Sequence, residues 1–101
     1  MIIIQITVDD DKKAKEMINL LVETNTIACG TFHEIQSSHK WNEKLVEEQE
    51  FELSKYTNEN LMREVVDVVT QRHSYELPKI TVLEPVYTLP EYDDWVKKQT
   101  S

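Results

Sequence analysis

Two long strand-like segments of this chain are separated by only two residues, and this spacing restricts the folds that the chain can adopt. TIACGTFHEIQSSHKW and KLVEEQEFELSKY flank Asn42 and Glu43. A two-residue connection joins antiparallel strands in a tight β-hairpin, so the sequence predicts one long hairpin. Glu43 is an unfavourable turn residue, because the backbone there needs a positive φ that glycine or asparagine adopts more easily.

Pairing Trp41 with Lys44 fixes the register of this hairpin. Phe32 then faces Leu53, which we expect to be a core pair. On the opposite face imidazoles lie beside carboxylates and other side chains: His33 across from Glu52, Ile35 from Glu50, Ser37 from Glu48 and His39 from Val46.

Imidazoles beside carboxylates are able to bind a divalent cation. His33 and His39, however, are six residues apart, roughly 20 Å along one strand, and cannot hold one ion within one chain. We therefore favour a solvated or interfacial polar face for the hairpin, and keep cation binding as the alternative.

The segments around the hairpin alternate between strand and helix patterns. Ile2–Val8 is a β-branched run typical of a buried strand, and the acidic residues after it suit a helix N-terminus. Apolar residues at helical spacing follow in two places: Ala14, Met17, Ile18 and Leu21, then Leu61, Met62, Val65, Val66, Val68 and Val69.

Two more elements complete the pattern. We expect Thr57 or Asn58 to cap the second helix. KITVLEPVY is typical of a strand that ends at Pro85, and LPEYDDWVKK of a short terminal helix with Pro90 near its start.

The element order is therefore β-α-β-β-α-β plus a short C-terminal helix. It predicts an α+β fold in a single domain over residues 1–101, a ferredoxin-like sandwich with two helices on one face of a four-stranded antiparallel sheet. The other face also needs a cover, and association with copies of the same chain is the expected one.

Composition excludes several classes of function. A formal charge of −8 and a pI near 4.8 argue against nucleic-acid binding, which needs clustered lysines and arginines. No apolar run approaches the roughly 20 residues of a membrane span. The start MIIIQITVDDDKK is apolar first and charged after, unlike a signal peptide, so we expect a cytoplasmic protein. The single Cys29 excludes an intrachain disulfide and a thiolate-rich metal site.

The segment QRHSYELPKITVLEP brings His73, Tyr75 and Glu76 together. Spacing alone favours a structural interpretation: His73 ends a helix, Tyr75 packs its ring and donates its hydroxyl to a backbone group, and Glu76 is extended and near the surface. The chain has no nucleophile–base arrangement and, with one glycine, no phosphate loop. We therefore expect that it is not an enzyme.

Four segments in order, ACGTF, WNEKLVEEQEFEL, HSYELPKITVLEPV and YDDWV, resemble the CutA divalent-cation-tolerance family. The resemblance covers nearly the whole chain. It implies a ferredoxin-like fold, a tight homotrimer similar in architecture to PII-type signalling proteins, and a link to copper tolerance. Some members bind divalent cations.

The resemblance also implies site residues. Family positions are matched by Cys29, Trp41, Lys44, His73, Tyr75, Glu76 and Trp95, the first six near clefts between subunits. The implied contacts for a divalent cation, copper or zinc, are His73, Glu76 and Cys29. The alternative is a small-molecule sensor whose clefts are lined by Trp41, Lys44 and Tyr75, with His33 and Glu52 at the cleft or subunit interface.

The chain departs from the family pattern at several positions near these residues. Glu43 replaces the hairpin glycine, Ser74 a proline, Lys79 a glutamate, and Tyr56-Thr57 a Lys-Thr step. Ile6 and Arg72 stand where proposed copper ligands, a cysteine and a histidine, occur in some members. Of those proposed ligands only His73 remains.

Overall fold

The computed structural model describes residues 1–101 and contains one antiparallel sheet of four strands. The strands are β1 (Ile2–Val8), β2 (Cys29–Trp41), β3 (Lys44–Thr57) and β4 (Ile80–Leu83). Their order across the sheet is β2-β3-β1-β4, so the β-branched β1 lies between β3 and β4 and is shielded on both edges. The predicted ferredoxin-like arrangement is confirmed.

Three helices accompany the sheet: α1 (Asp11–Glu23), α2 (Met62–Arg72), which follows a short 3-10 turn, and α3 (Pro90–Gln99). Their starts follow the sequence signals. The Asp10 side chain accepts from the Lys12 backbone N–H, and Asn58 accepts from Asn60 ahead of α2. Pro90 occupies the first turn of α3, where its missing N–H costs nothing.

The main core lies between α1, α2 and one face of the sheet. The predicted apolar stripe of α1 is buried, as are the alternating residues of β1 and Leu53 of β3. The predicted stripe of α2 is buried only at Val65 and Val69, and its Met62 is exposed. Gly30 allows the close approach of α1. A Cβ at this position would lie 2.6 Å from Cγ2 of Ile18, inside contact distance.

The terminal helix α3 covers one end of the opposite sheet face. Alternation along β3 turns Leu53 and Lys55 into the core and therefore turns Tyr56 to the other side. Tyr56 pairs with Cys29 of β2, and Tyr92 of α3 lies against the Cys29 thiol. The pKa of Tyr92 is raised mainly by burial of its hydroxyl and, to a smaller extent, by the neighbouring Cys29 thiol.

The hairpin register is as predicted, with Trp41 paired to Lys44 and Phe32 to Leu53. Asn42 and Glu43 have φ of 52° and 66°, the left-handed conformations of a two-residue turn. The predicted core pair is only half correct: Leu53 is buried, but Phe32 is 38% exposed. Phe32 lies on an edge strand, where it packs edge-on against Phe51 with ring centroids 6.4 Å apart.

The fourth strand is shorter than the sequence indicated. It pairs with β1 over only four residues and ends at Leu83, two residues before Pro85. Beyond it the chain runs without regular structure to α3 and exposes apolar side chains: Val86, Tyr87 and Leu89. The physical reason is that β1 begins at Ile2, which the register places opposite Glu84, so the chain from Pro85 onward has no strand to pair with.

Candidate functional site

A cleft of about 740 Å³ opens between the β2–β3 hairpin and the connection from α2 to β4. The hairpin provides one wall and residues 74–79 the other, with Thr7 of β1 between them. The side chains that matter below are Ser37, Trp41, Glu48, Glu50, Tyr75 and Glu76. The cleft exists because the hairpin extends past the end of β1, which leaves its far half without a neighbouring strand.

Glu50 is the buried carboxylate of this cleft, with 7% of its surface exposed. The Tyr75 hydroxyl donates to Oε2 at 2.7 Å, and the Ser37 hydroxyl donates to Oε1. Both carboxylate oxygens are thus held by neutral donors. Burial, together with the hydrogen bond to Glu50, raises the pKa of Tyr75 far above its usual value, so the phenol remains a donor at any physiological pH.

His73 fixes the position of Tyr75. The Tyr75 backbone N–H donates to Nδ1 at 3.1 Å, so Nε2 carries the ring proton and donates to the Thr7 carbonyl at 2.6 Å. The two rings also pack, with centroids 4.7 Å apart. His73 ends α2 as predicted, and its ring additionally ties the connection to β1.

The hydroxyl of Tyr75 does not have the predicted acceptor. A backbone group was expected, whereas the acceptor is the Glu50 side chain, 25 residues away in the sequence. Glu50 is the residue that sequence reasoning missed as a site residue. The predicted register placed it on the same face as Ser37, which was the available signal, but nothing in the sequence indicated that the two would share a cleft with Tyr75.

The structure brings some of the predicted site residues together. Trp41, Tyr75 and Glu76 line the same cleft, and Glu76 is exposed as expected. Lys44 is exposed beside the hairpin turn and does not line the cleft. His33 and Glu52 face each other across the hairpin, with Nε2 and Oε1 3.9 Å apart, outside the cleft.

The three residues implied as metal contacts do not meet within one chain. Cys29 pairs with Tyr56 of β3, which in turn pairs with Ile3 of β1, so Cys29 lies at the height of Ile3 along the sheet. His73 contacts Thr7, further along β1. Four residues of strand, about 13 Å, separate these levels. No three His, Cys, Asp or Glu side chains are close enough to share a metal ion. A site that uses both Cys29 and His73 would have to draw on more than one subunit.

No helix of this chain has the length and apolar character needed to cross a bilayer.

The fold and the cleft define the class of protein: a ferredoxin-like α+β protein with an acidic and aromatic cleft beside a long hairpin. The model of the CutA1 divalent ion tolerance protein family matches residues 2–99, and the chain therefore belongs to this family. The resemblance found in the sequence is confirmed.

Individual relatives agree with this membership. The divalent-cation tolerance protein CutA of Thermotoga maritima is 31% identical over 98 residues, 97% of each chain. The structure of the periplasmic divalent cation tolerance protein CutA from Archaeoglobus fulgidus superposes with a TM-score of 0.95 at 28% identity, covering 100% of both chains. The PII-like protein CutA from Nostoc in apo form gives 0.93 at 26% identity, covering 100% of this chain and 98% of that one.

Proposed function

We propose that this chain is a non-catalytic, divalent-cation-binding tolerance protein that acts as a homotrimer in the cytoplasm. The observation that carries the proposal is the cleft with the buried Glu50 carboxylate, which Glu48, Glu76 and His39 also line. No three of these side chains are close enough within one chain to share an ion, so a neighbouring subunit would complete the site. Membership of the tolerance family supports this function. The family is named for cation tolerance rather than for a reaction, which supports a non-catalytic role.

The shape of the subunit supports self-association. A compact monomer of 11.9 kDa is expected to expose about 5,900 Å² and to have a radius of gyration of about 12.7 Å. This chain exposes 6839 Å² and has a radius of 14.3 Å. Its second sheet face is covered by α3 at one end and by the α2–β4 connection over Thr7 and Glu50 at the other, which leaves Gln5 and Ser54 between them partly exposed, and β4 is a free edge. A ring of three copies would cover this face and remove strand edges from solvent.

The proposed cation is copper or zinc, for which imidazole and carboxylate are suitable ligands. Glu76 and the hairpin carboxylates are available in the cleft. His73 would have to give up its bond to Thr7 or to Tyr75 in order to coordinate a metal. Cys29 would contribute from a neighbouring subunit.

Calorimetric titration with Cu²⁺ and Zn²⁺ near neutral pH tests the proposal. We expect the wild-type protein to bind, His73→Ala to bind at least tenfold more weakly, and His33→Ala, on the hairpin outside the cleft, to bind as wild type. Absence of binding to the wild-type protein would contradict the cation-binding function. Unchanged affinity in His73→Ala would exclude His73 as a ligand while leaving the carboxylates in place.

The second candidate function is sensing of a small molecule, and the volume of the cleft favours it. About 740 Å³ lies within the roughly 300–1,000 Å³ of typical small-molecule sites, and Trp41 and Tyr75 provide aromatic walls. A thermal-shift screen of nucleotides and metabolites beside a metal series separates the two functions, because only the true ligand class raises the midpoint with its concentration.

A further inference from the structure

The buried negative charge of the cleft has no cationic partner. Glu50 makes no ion pair with any lysine, arginine or histidine of the chain, since the four ion pairs within 4.0 Å all involve other residues. Its two hydrogen bonds come from hydroxyls, which are neutral. Buried charges in proteins are normally paired, so within a single chain the cleft lacks one positive charge.

The exposed side chains of the cleft carry equal numbers of opposite charges. Two of those that line it are acidic, Glu48 and Glu76, and two are basic, Lys40 and Lys79. Exposed charges are screened by water and salt, whereas a buried charge is screened much less. The electrostatic preference of the cleft is therefore set by Glu50, and it is a preference for a single positive charge.

The remaining features indicate an organic cation. A carboxylate has about four lone-pair sites, and the two hydroxyls use only two of them, so Glu50 keeps acceptor capacity for another donor. Trp41 and Tyr75 line the same space, and aromatic faces attract ammonium and guanidinium groups. The volume accommodates a ligand body much larger than one ion.

We propose that the cleft binds a small organic monocation, a primary amine or a guanidine, whose charged end contacts Glu50 and whose body lies against Tyr75. This inference rests on the small-molecule function and names its ligand class. It is independent of whether a metal binds elsewhere in the assembly.

A matched pair of probes tests the role of charge. Phenethylamine and 2-phenylethanol have nearly the same shape, but only the amine is cationic at pH 7.5; 2-phenylethylguanidine, also a monocation, presents a guanidinium on the same body. Binding is measured by calorimetry and thermal shift on the wild-type protein with chelator present. We expect both cations to bind at least tenfold more tightly than the alcohol, with an affinity that falls as salt rises.

Two variants locate the contact. Glu50→Gln keeps the shape and removes the charge; its amide oxygen still accepts from one of the two hydroxyls, while its NH2 group donates to the oxygen of the other. This variant should weaken amine binding at least tenfold. Glu48→Gln removes an exposed charge at the mouth and should change it less than threefold. If Glu50→Gln does not fold, the comparison of amine with alcohol on the wild-type protein still decides whether binding depends on the positive charge of the ligand.

Equal binding of amine and alcohol would overturn the inference, as would loss of amine binding in Glu48→Gln but not in Glu50→Gln. A protein that binds Cu²⁺ or Zn²⁺ but neither amine would refute the organic cation and retain the cation-tolerance function. A protein that binds another metabolite in the screen, but no amine, would retain the sensor function and refute this ligand class.

Discussion

Lys55 is the residue of this chain that departs most from ordinary core composition. It is fully buried at 0% exposure opposite Ile4 of β1, and its Nζ has no hydrogen-bond partner. Burial lowers its pKa from 10.5 to about 7. The Lys-Thr step that the resemblance implies is Tyr56-Thr57 here, with the lysine one residue earlier. Alternation along the strand then turns the lysine into the core.

The buried amine predicts a specific dependence of stability on pH. The unfolded chain holds the Lys55 proton up to about pH 10.5, whereas the folded chain releases it near pH 7. Between these values the unfolded state binds more protons, so the free energy of unfolding should rise with pH. Below pH 7 the full penalty applies.

Lys55→Met should raise the free energy of unfolding by about 1–3 kcal/mol at pH 7, since a buried amine without a partner is replaced by an apolar side chain of similar length. The gain should shrink between pH 7 and 10. Urea unfolding at matched protein concentration measures both effects, with the exposed Lys15→Met as the control. A destabilised Lys55→Met, or a gain that does not change with pH, would contradict a partnerless buried amine.

The site was predictable in part, and the reason differs from residue to residue. The positions of His73 and Glu76 in the sequence were enough to predict that α2 ends at His73 and that Glu76 is exposed. The ring of His73 bonds to Thr7 and to Tyr75, and the first of these partners is 66 residues away. Glu50 acquires its role only when the hairpin meets the α2–β4 connection. Long-range side-chain contacts of this kind leave no spacing pattern in a sequence.

The hairpin is the element that shapes the cleft, and its turn is strained. Glu43 has φ of 66°, a region that costs a non-glycine residue roughly 1–2 kcal/mol. The resemblance implies glycine at this position. The turn forms nevertheless, because the long strands on both sides are paired continuously from Trp41 and Lys44 to Cys29 and Tyr56.

Glu43→Gly should therefore stabilise the protein by about 0.5–1 kcal/mol, because glycine adopts positive φ without a steric penalty. Glu47→Gly is the matched control: it removes the same charge from an exposed position within β3 and should destabilise by a similar amount. Thermal or urea unfolding measures both variants. A loss of stability in Glu43→Gly equal to that in Glu47→Gly would show that the turn is not strained.

Most of the fold was predictable because local signals and the two-residue turn restrict it strongly. The turn fixes the hairpin register, and the apolar stripe fixes which face of α1 is buried. The three errors lie where tertiary geometry decides. β4 has no strand to pair with from Pro85 onward, Phe32 remains exposed because it lies on the edge strand, and Met62 is exposed at the first position of α2.

As a whole molecule, the chain is an extended subunit with extents of 46 × 27 × 21 Å. Its main core is one-sided, and its second sheet face is only partly covered. Apolar residues at the end of β4 and beyond it face solvent: Leu83, Val86, Tyr87 and Leu89. Exposed apolar side chains next to a free strand edge are typical of a surface that associates. These features together motivate the proposed trimer, which is central to both candidate functions.

The mass of the protein in solution tests this claim most directly. Light scattering or sedimentation at micromolar concentration should give the mass of three chains of 11.9 kDa, about 36 kDa, stable on dilution. A mass of 11.9 kDa under these conditions would contradict the account.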